Sequence, residues 1–381
     1  MENIPATVLE ELKLVQFRNL EQQTLQFGAG VHFVSGANGQ GKTNLLDAIY
    51  YLCLSRSHFR YGDASAVQHG TKFLRLAGKF TTNKRVESIV LKLQPRKGKT
   101  IERNGVAYAS LVEHIGLLPA VMISPADIEL VVGGPEERRR FIDQTICQYD
   151  ASYLQALVKY NRLLKSRNAL LKSAAHPLEI DLRLLATYDH QLSEPAQYIH
   201  TARNQFVKVL SEVVQKLYGQ LSGDAERLKA DYVSRLSERP LLELLLASRD
   251  QDTLLRRTNV GVHRDELALL LNDENVRKFA SQGQLKSIVL ALRLTQARIL
   301  SSHRGKQPVL LLDDLFDRLD PDRVQRLMSL VQHEQYDQVF VTDTDAERLQ
   351  ALEVEGVQVH YHTVEQGRVI SQPKSSTAPA G

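Results

Sequence analysis

The spacing of apolar residues changes character along the chain. Residues 8 to 34 read as two strands, since "VLEELKLVQF" alternates imperfectly and "VHFV" is a short apolar run. Short β-like pieces continue from residue 73 to 132 as "FLRLAGKF", "ESIVLKL" and "AVMIS", with turns expected at Asn104-Gly105 and Ser124-Pro125. From about Pro135 to Arg257 the period becomes helical, in "ASYLQALVKYNRLLKSRNALLKS" and "QLSEPAQYIHTARNQFVKVLSEVVQKLYGQL". Breaks fall near His176-Pro177, Gly219 to Gly223 and Arg239-Pro240. After Gly261 strand patterns return as "ELALLL", "PVLLLDD" and "QVFVTD", with a helix apolar on nearly every side, "SQGQLKSIVLALRLTQARIL", among them.

This pattern predicts an α/β domain split by a helical excursion. Residues 1–134 and 259–370 supply the α/β parts and residues 135–258 the helical insertion, while the polar Pro- and Ser-rich tail, residues 371–381, is expected to be disordered. No internal repeat and no sustained heptad run is present, so a long coiled coil is not expected.

Composition narrows the setting. With 381 residues the chain can bury a core without disulfides, and its two cysteines, Cys53 and Cys147, lie among apolar or helix-forming neighbours with no partner at metal-ligand spacing. Buried thiols in a reducing cytosol are the expectation. No secretion signal and no run of about 18 apolar residues occurs, which predicts a soluble cytoplasmic protein without membrane contact. A net charge of +4 permits nucleic-acid binding without establishing it.

Chemistry enters at "VHFVSGANGQGKTNLLDAIYYL", residues 31 to 52. Gly36, Gly41, Lys42 and Thr43 fit G-x-x-x-x-G-K-[ST], with Ala37, Asn38, Gly39 and Gln40 completing the loop. A strand before it and an amphipathic helix after it are the context this loop needs to present backbone N–H groups to an anion at a helix N-terminus. The expected ligand is a nucleoside triphosphate with Mg²⁺. Lys42 would reach the β- and γ-phosphates, and Thr43 would offer its hydroxyl to the metal. Far along the chain, "VLLLDD" ends in Asp313, a second metal ligand, and Asp314, placed as general base or water-positioning carboxylate. A glutamate would reach one methylene further than Asp314, so turnover is expected to be slow. Ser281, Gly283 and Gln284 open the buried helix, where Ser281 alone reads as an N-cap.

Taken together, a phosphate loop, Ser-x-Gly-Gln opening a helix, then four apolar residues and two acids resemble the ABC-type ATPase head. The order of "FRNL", "SRSHFR", "SPADIELVVGGPEERRRFID", "LLKSRNALL", "GVHRDEL" and "LLLDDLFDRLD" around those motifs narrows the resemblance to the bacterial RecF family. It implies an ABC/SMC-type P-loop head, a mixed sheet core with helices, carrying a helical second lobe. It implies a weak, DNA-stimulated ATPase whose ATP-dependent homodimer sandwiches two nucleotides between the loop of one copy and the Ser281 helix end of the other. It also implies binding to double-stranded and gapped DNA, with RecO and RecR partners, in recombinational repair and replication restart.

Several positions depart from the broader ABC pattern. Asp343 stands where transporters usually carry histidine, no glutamine marks the lobe-connecting site near Met122 to Asp127, and Val262 replaces an expected proline in "GVHRD". The role of the basic clusters stays open. "EERRR", residues 136 to 140, suits a solvated face, a DNA contact or a structural bridge; Arg56, His58 and Arg60 suit the nucleotide, a dimer interface or a surface loop; His263 and Arg264 suit contacts between lobes. Lys159, Arg162, Lys165, Arg167 and Lys172 are the best candidates for a DNA-backbone track, although their spacing spreads them over more than one helix face. Aromatic residues make up 6% and tryptophan is absent, so duplex backbone contacts with marked salt sensitivity are expected rather than base stacking of single strands. Two other functions share the motifs: the ATPase subunit of a membrane transporter, disfavoured by the 238 residues between Thr43 and Ser281, and a nucleotide-gated scaffold that does not hydrolyse.

Overall fold

A computed structural model describes residues 7–82, 85–173, 180–223, 226–316, 321–352, 354 and 356–371. The chain first forms β1 (Thr7–Val15), β2 (Gln23–Gln26), β3 (Gly30–Ser35), α1 (Lys42–Leu54), β4 (Leu74–Thr82), β5 (Arg85–Gln94), β6 (Gly98–Arg103), β7 (Val106–Ala107) and β8 (Ala120–Ile123). Next come α2 (Glu129–Val132), α3 (Pro135–Ile146), α4 (Ala151–Ser173), α5 (Leu182–Ser222), β9 (Leu228–Val233), α6 (Leu241–Ala247), α7 (Arg249–Leu255), β10 (Glu266–Leu271), β11 (Glu274–Asn275), α8 (Val276–Phe279) and α9 (Gln282–Arg304). β12 (Val309–Leu312), α10 (Pro321–His333), β13 (Gln338–Asp343), α11 (Ala346–Gln350), β14 (Val359–Glu365) and β15 (Arg368–Ser371) follow.

These elements form two compact units. The first comprises Met1–Asp127, Gln220–Ser222 and Leu290–Gly381; the second comprises Ile128–Gly219 and Gly223–Val289. In the first unit, one sheet has the order β15-β14-β3-β13-β12-β8, parallel from β14 to β8 with β15 antiparallel at the edge. Its inner strands are buried along nearly their whole length, as "VLLL" and "QVFVTD" show, because a parallel sheet is covered on both faces. A second, antiparallel sheet runs β2-β1-β4-β5-β6-β7, and β4 alternates buried and accessible residues as a one-sided sheet should. Helix α1 touches β4 and β5 of the antiparallel sheet and β8 and β13 of the parallel one, so Leu45, Leu46, Ala48, Ile49 and Leu52 are all fully buried. Each such aliphatic side chain contributes about 1.5–3 kcal/mol by burial.

The second unit carries the long helices the sequence predicts, and also a three-stranded sheet, β11-β10-β9. Its extent differs from the expected 135–258. β10 pairs with β9 over six residue pairs and α3 packs on β10, so the segment from 259 to Val289 belongs with this unit. Strand β2 and the hairpin of β14 and β15 are absent from the sequence expectations, and Ser371, placed there in the tail, closes β15 opposite His362. The expected break at His176-Pro177, residues 317–320 of "LLLDDLFDRLD" and the tail from 372 to 381 lie outside the described residues.

Three histidines stack where β3 meets β14. His32 and His360 lie 4.5 Å apart at 7° between ring planes, and His32 and His362 lie 5.3 Å apart. The Gly28 carbonyl accepts from His32 Nε2 at 2.8 Å, leaving His32 Nδ1 to accept from His362 Nε2 at 3.0 Å. Burial, helped by the neighbouring rings, drives His32 down to about 3 and His362 down to about 4 from an ordinary value near 6.5. Both stay neutral in the fold while the unfolded chain takes up protons below about 6.5, so their contribution is full above that pH and is lost as pH falls toward about 4. Denaturant titrations at pH 7, 6 and 5 should show stability falling below pH 6, with His32 and His362 together supplying up to about 2.7 kcal/mol per pH unit of the slope, a share lost in a His32→Gln, His362→Gln double variant. An equal slope in the parent and the double variant would show that the pair is not held neutral.

Candidate functional site

The chain leaves β3 through Gly36, turns over an exposed crest of Ala37, Asn38 and Gly39, and enters α1 at Lys42. Gly36 has φ 153° and Gly41 φ 123°, conformations that side-chain-bearing residues rarely adopt. A Cβ on Gly36 would sit 2.5 Å from the Val364 carbonyl oxygen of β14. No side chain caps α1 and no acidic residue occupies its first turn, so the positive end of the helix dipole faces the loop uncompensated. Lys42, 5% exposed, donates to the carbonyls of Gly36 at 2.6 Å and Ala37 at 3.2 Å, which holds its ammonium inside the loop.

Neighbouring elements buttress the loop. Asn19 Nδ2 donates to the Gly39 carbonyl at 3.0 Å, and Asn44 Nδ2 donates to Asn19 Oδ1 at 2.6 Å. Arg18 pairs with Asp47 at 2.6 Å, an acid fully buried in α1. Burial pushes the Asp47 carboxyl up, against the pull of Arg18 and of the His58 N–H and Ser57 hydroxyl. From the other side, the β14–β15 turn donates the Gly367 N–H to the Gln40 carbonyl at 3.0 Å.

The acids meet this loop from β12. Thr43 Oγ1 donates to Asp313 within 2.9–3.0 Å of both carboxylate oxygens, and Thr342 Oγ1 at the end of β13 donates to Asp313 Oδ1 at 2.9 Å. Asp313 is 3% exposed, and burial raises its pKa above the ordinary carboxylate value despite these hydroxyl bonds; the charge of Asp314 raises it further. Asp314 adopts φ 47°, its N–H donates to Thr342 Oγ1 at 3.0 Å, and its Oδ1 is buried without a hydrogen-bond partner among the described residues. A hard cation fits this donor set: a buried carboxylate held by hydroxyls, next to a hydroxyl oxygen and an orphaned acceptor.

The expected residues of the first unit, Gly36 through Thr43 with Asp313 and Asp314, therefore converge at the ends of β3, β12 and β13. Ser281, Gly283 and Gln284 belong to the second unit. There, Gln284 N donates to Ser281 Oγ at 3.3 Å and the Ser281 N–H donates to Gln284 Oε1 at 2.6 Å, a reciprocal cap that leaves Ser281 exposed.

The family comparison now has a site to refer to. The RecF/RecN/SMC N terminal domain family matches residues 8–366. The DNA replication and repair protein RecF of Porphyromonas gingivalis is 40% identical over 348 residues, spanning 90% of this chain and 93% of its own. The chain belongs to the RecF family. Its Flavobacterium johnsoniae relative is 37% identical and covers 90% of this chain and 96% of its own. A solved RecF–ATP structure, described as a recombination mediator protein in the RecFOR pathway, superposes with a TM-score of 0.89 at 29% identity over 98% of this chain and 99% of that one. The Smc head domain of Pyrococcus furiosus, at 16% identity and a TM-score of 0.55, covers 96% of each chain and shares the fold. The ABC/SMC-type head expected from the motifs is thus the family's fold, and DNA replication and repair is the family's role.

Several of the basic clusters have internal partners. Arg167 is fully buried, bonded to Asp189 at 2.7 Å and Asp252 at 2.8 Å, and so is removed from the expected DNA track; Lys159, Arg162, Lys165 and Lys172 remain exposed on α4. Helical periodicity alone does not reveal that Arg167 faces two buried acids. Within "EERRR", Arg138 bridges to Glu266 of β10 at 2.7 Å, and Arg139 donates to the Asp265 carbonyl at 2.8 Å. His263 contacts Tyr160 OH at 2.7 Å within the second unit, and burial lowers it to about 4. His58 turns inward to Asp127 at 3.1 Å, where Arg293 of α9 also binds at 2.5 Å. Burial raises the Asp127 carboxyl, but Arg293, His58 and the Ser124 N–H outweigh it and hold Asp127 well below the usual range. Asp343, at the position of the transporters' histidine, is fully buried, bonded by the Asp345 N–H at 2.8 Å and by Arg348 at 3.3 Å.

The reading from sequence missed the roles of Asn19, Thr342 and the β14–β15 turn. "FRNL" and "QVFVTD" carried the first two in plain view, but no local rule assigns a side chain to a loop so distant in sequence. Gly36→Ala should displace β14 from β3 and destabilise the first unit by about 1–3 kcal/mol in denaturant unfolding. Unchanged stability would mean that the Gly36–Val364 approach is not a constraint.

Proposed function

We propose that this chain is an ATP-dependent switch of recombinational repair that assembles as a dimer on duplex DNA near single-strand gaps. The observation that carries this reading is the Thr43–Asp313–Thr342 cluster beside the uncapped start of α1. The solved RecF–ATP structure supports ATP as the ligand.

The residues divide the work. The N–H groups of the Gly36–Thr43 loop and the Lys42 ammonium bind and orient the phosphates. Thr43 and Asp313 would hold Mg²⁺, which when bound would draw charge from the β- and γ-phosphates. Asp314, whose Oδ1 has no hydrogen-bond partner among the described residues, would position a water and accept its proton; being one methylene shorter than glutamate, it supports slow turnover. Ser281, Gly283 and Gln284 of one copy would complete the γ-phosphate site of the other, so that ATP stabilises the dimer and hydrolysis releases it. RecO- and RecR-type partners and help in recombinase loading belong to the same reading, consistent with the RecFOR pathway of the solved relative. A cytoplasmic setting follows from action on DNA. Among the described residues no helix is long and apolar enough to cross a membrane, and family membership leaves the transporter-subunit alternative without support. The short reach of Asp314 favours a second reading, a nucleotide-gated scaffold in which binding matters and turnover does not; phosphate release by the parent protein distinguishes the two.

Sedimentation with ATP, ADP and no nucleotide should show an ATP-specific dimer, lost in Lys42→Arg and Asp313→Asn. If both variants dimerised with ATP as the parent does, the sandwich would be refuted. Duplex affinity should fall roughly 10- to 1000-fold between about 50 and 200 mM salt, because phosphate contacts release counterions. An affinity indifferent to salt would exclude backbone recognition.

A further inference from the structure

The Gly36–Thr43 loop accounts for the phosphates of a nucleotide but not for its base, and the first unit offers an aromatic ring in a distinctive setting. Tyr61, in the loop that follows α1, is 62% exposed. A chain of polar contacts leads to it from the loop crest: Gly39 to Asn19, Asn19 to Asn44, and Asn44 Oδ1 to Arg18 Nη1 at 2.8 Å. The Arg18 guanidinium lies 5.3 Å from the centroid of the Tyr61 ring. It is held there by Asp47, by Ser57 Oγ at 3.0 Å, and by the rings of Phe17 and Phe59 at 5.5 and 5.8 Å. Asn44 directly follows Thr43, so this platform is tied to the first turn of α1, the turn that receives the phosphates.

The arrangement costs more than an ordinary surface tyrosine. Arg18 takes a left-handed conformation at φ 49°, and its guanidinium is withdrawn from solvent to back a ring that is itself left mostly in water. A cation behind an aromatic ring and an open area on that ring make a good seat for a flat π-system. We propose that Tyr61 is the stacking platform for the purine base of the nucleotide held at the phosphate loop, with Arg18 as its positioning residue. The proposal rests on the nucleotide reading above and adds the element that distinguishes a nucleotide from a bare triphosphate.

The test compares equilibrium binding of ATP and of inorganic tripolyphosphate, both with Mg²⁺, and of a single-stranded oligonucleotide, to the full chain and to Tyr61→Ala and Tyr61→Phe. Stacking predicts that Tyr61→Ala weakens ATP by roughly 5- to 100-fold, that tripolyphosphate affinity stays within about twofold, and that Tyr61→Phe binds ATP like the parent. Equal losses for ATP and tripolyphosphate would show a disturbed loop rather than a base contact, and no loss for either would show that the ring meets no base; each overturns the proposal alone. A loss confined to a single-stranded oligonucleotide would assign Tyr61 to DNA and overturn it too. A parent chain that bound neither ATP nor tripolyphosphate would instead refute the nucleotide reading on which it rests.

Discussion

The hydrogen bonds from Thr43 to Asp313 join residues 270 positions apart in sequence, and the candidate site depends on that junction. Parallel pairing makes it possible. β13 lies between β3 and β12, so the loop after β3, Thr342 at the end of β13 and the acids after β12 all emerge at one edge of the sheet. Asp313 sits there buried, with a raised pKa and, among the described residues, hydroxyl groups alone donating to its carboxylate, which is an unfavourable state for a carboxylate and a favourable one for meeting a cation. A cation bound there would recover that local cost, which is how a binding site differs from a structural ion pair.

The same loop is gripped from outside the sheet edge. Asn19 and Gln40 connect it to the turn after β1 and to the β14–β15 turn, and Gly36 fits against β14 only because it lacks a side chain. Such bracing keeps a glycine-rich loop near one conformation, so that binding an anion does not have to pay the ordering entropy of a flexible segment. Arg18 takes part in this bracing through Asn44 while it also backs the Tyr61 ring, so one residue links loop rigidity to an exposed surface.

The second unit is organised on a different principle. Arg167 with Asp189 and Asp252, and Arg203 with Asp143 and Asp265, bury charge in its interior. Removing one partner from a pair of this kind leaves an uncompensated charge and costs about 3–5 kcal/mol, whereas the intact pair adds little net stability. These networks tie helices distant in sequence to one another and specify how they pack. They also explain why a count of basic residues overstates the cationic surface: some of the arginines that look available in the sequence are internal.

The amino-acid sequence by itself determined the phosphate loop, the acidic strand end, the Ser281 helix start, the major helices and the inner strands, because each is written in a contiguous stretch whose period or spacing has a local physical cause. Helix α4 and strand β10 were legible to the residue for that reason. Tertiary structure alone decided which distant stretches share an edge or a face: that Thr342 would join Asp313, that β14 and β15 would brace Gln40, that β10 would pair with β9 and enlarge the second unit, and that Arg167 would turn inward. Short edge strands such as β2 carry too little alternation to be distinguished from loop, and a basic side chain on a helix shows no local sign of the acid it will meet. Those outcomes depend on long-range pairing and burial, which no window of neighbouring residues contains.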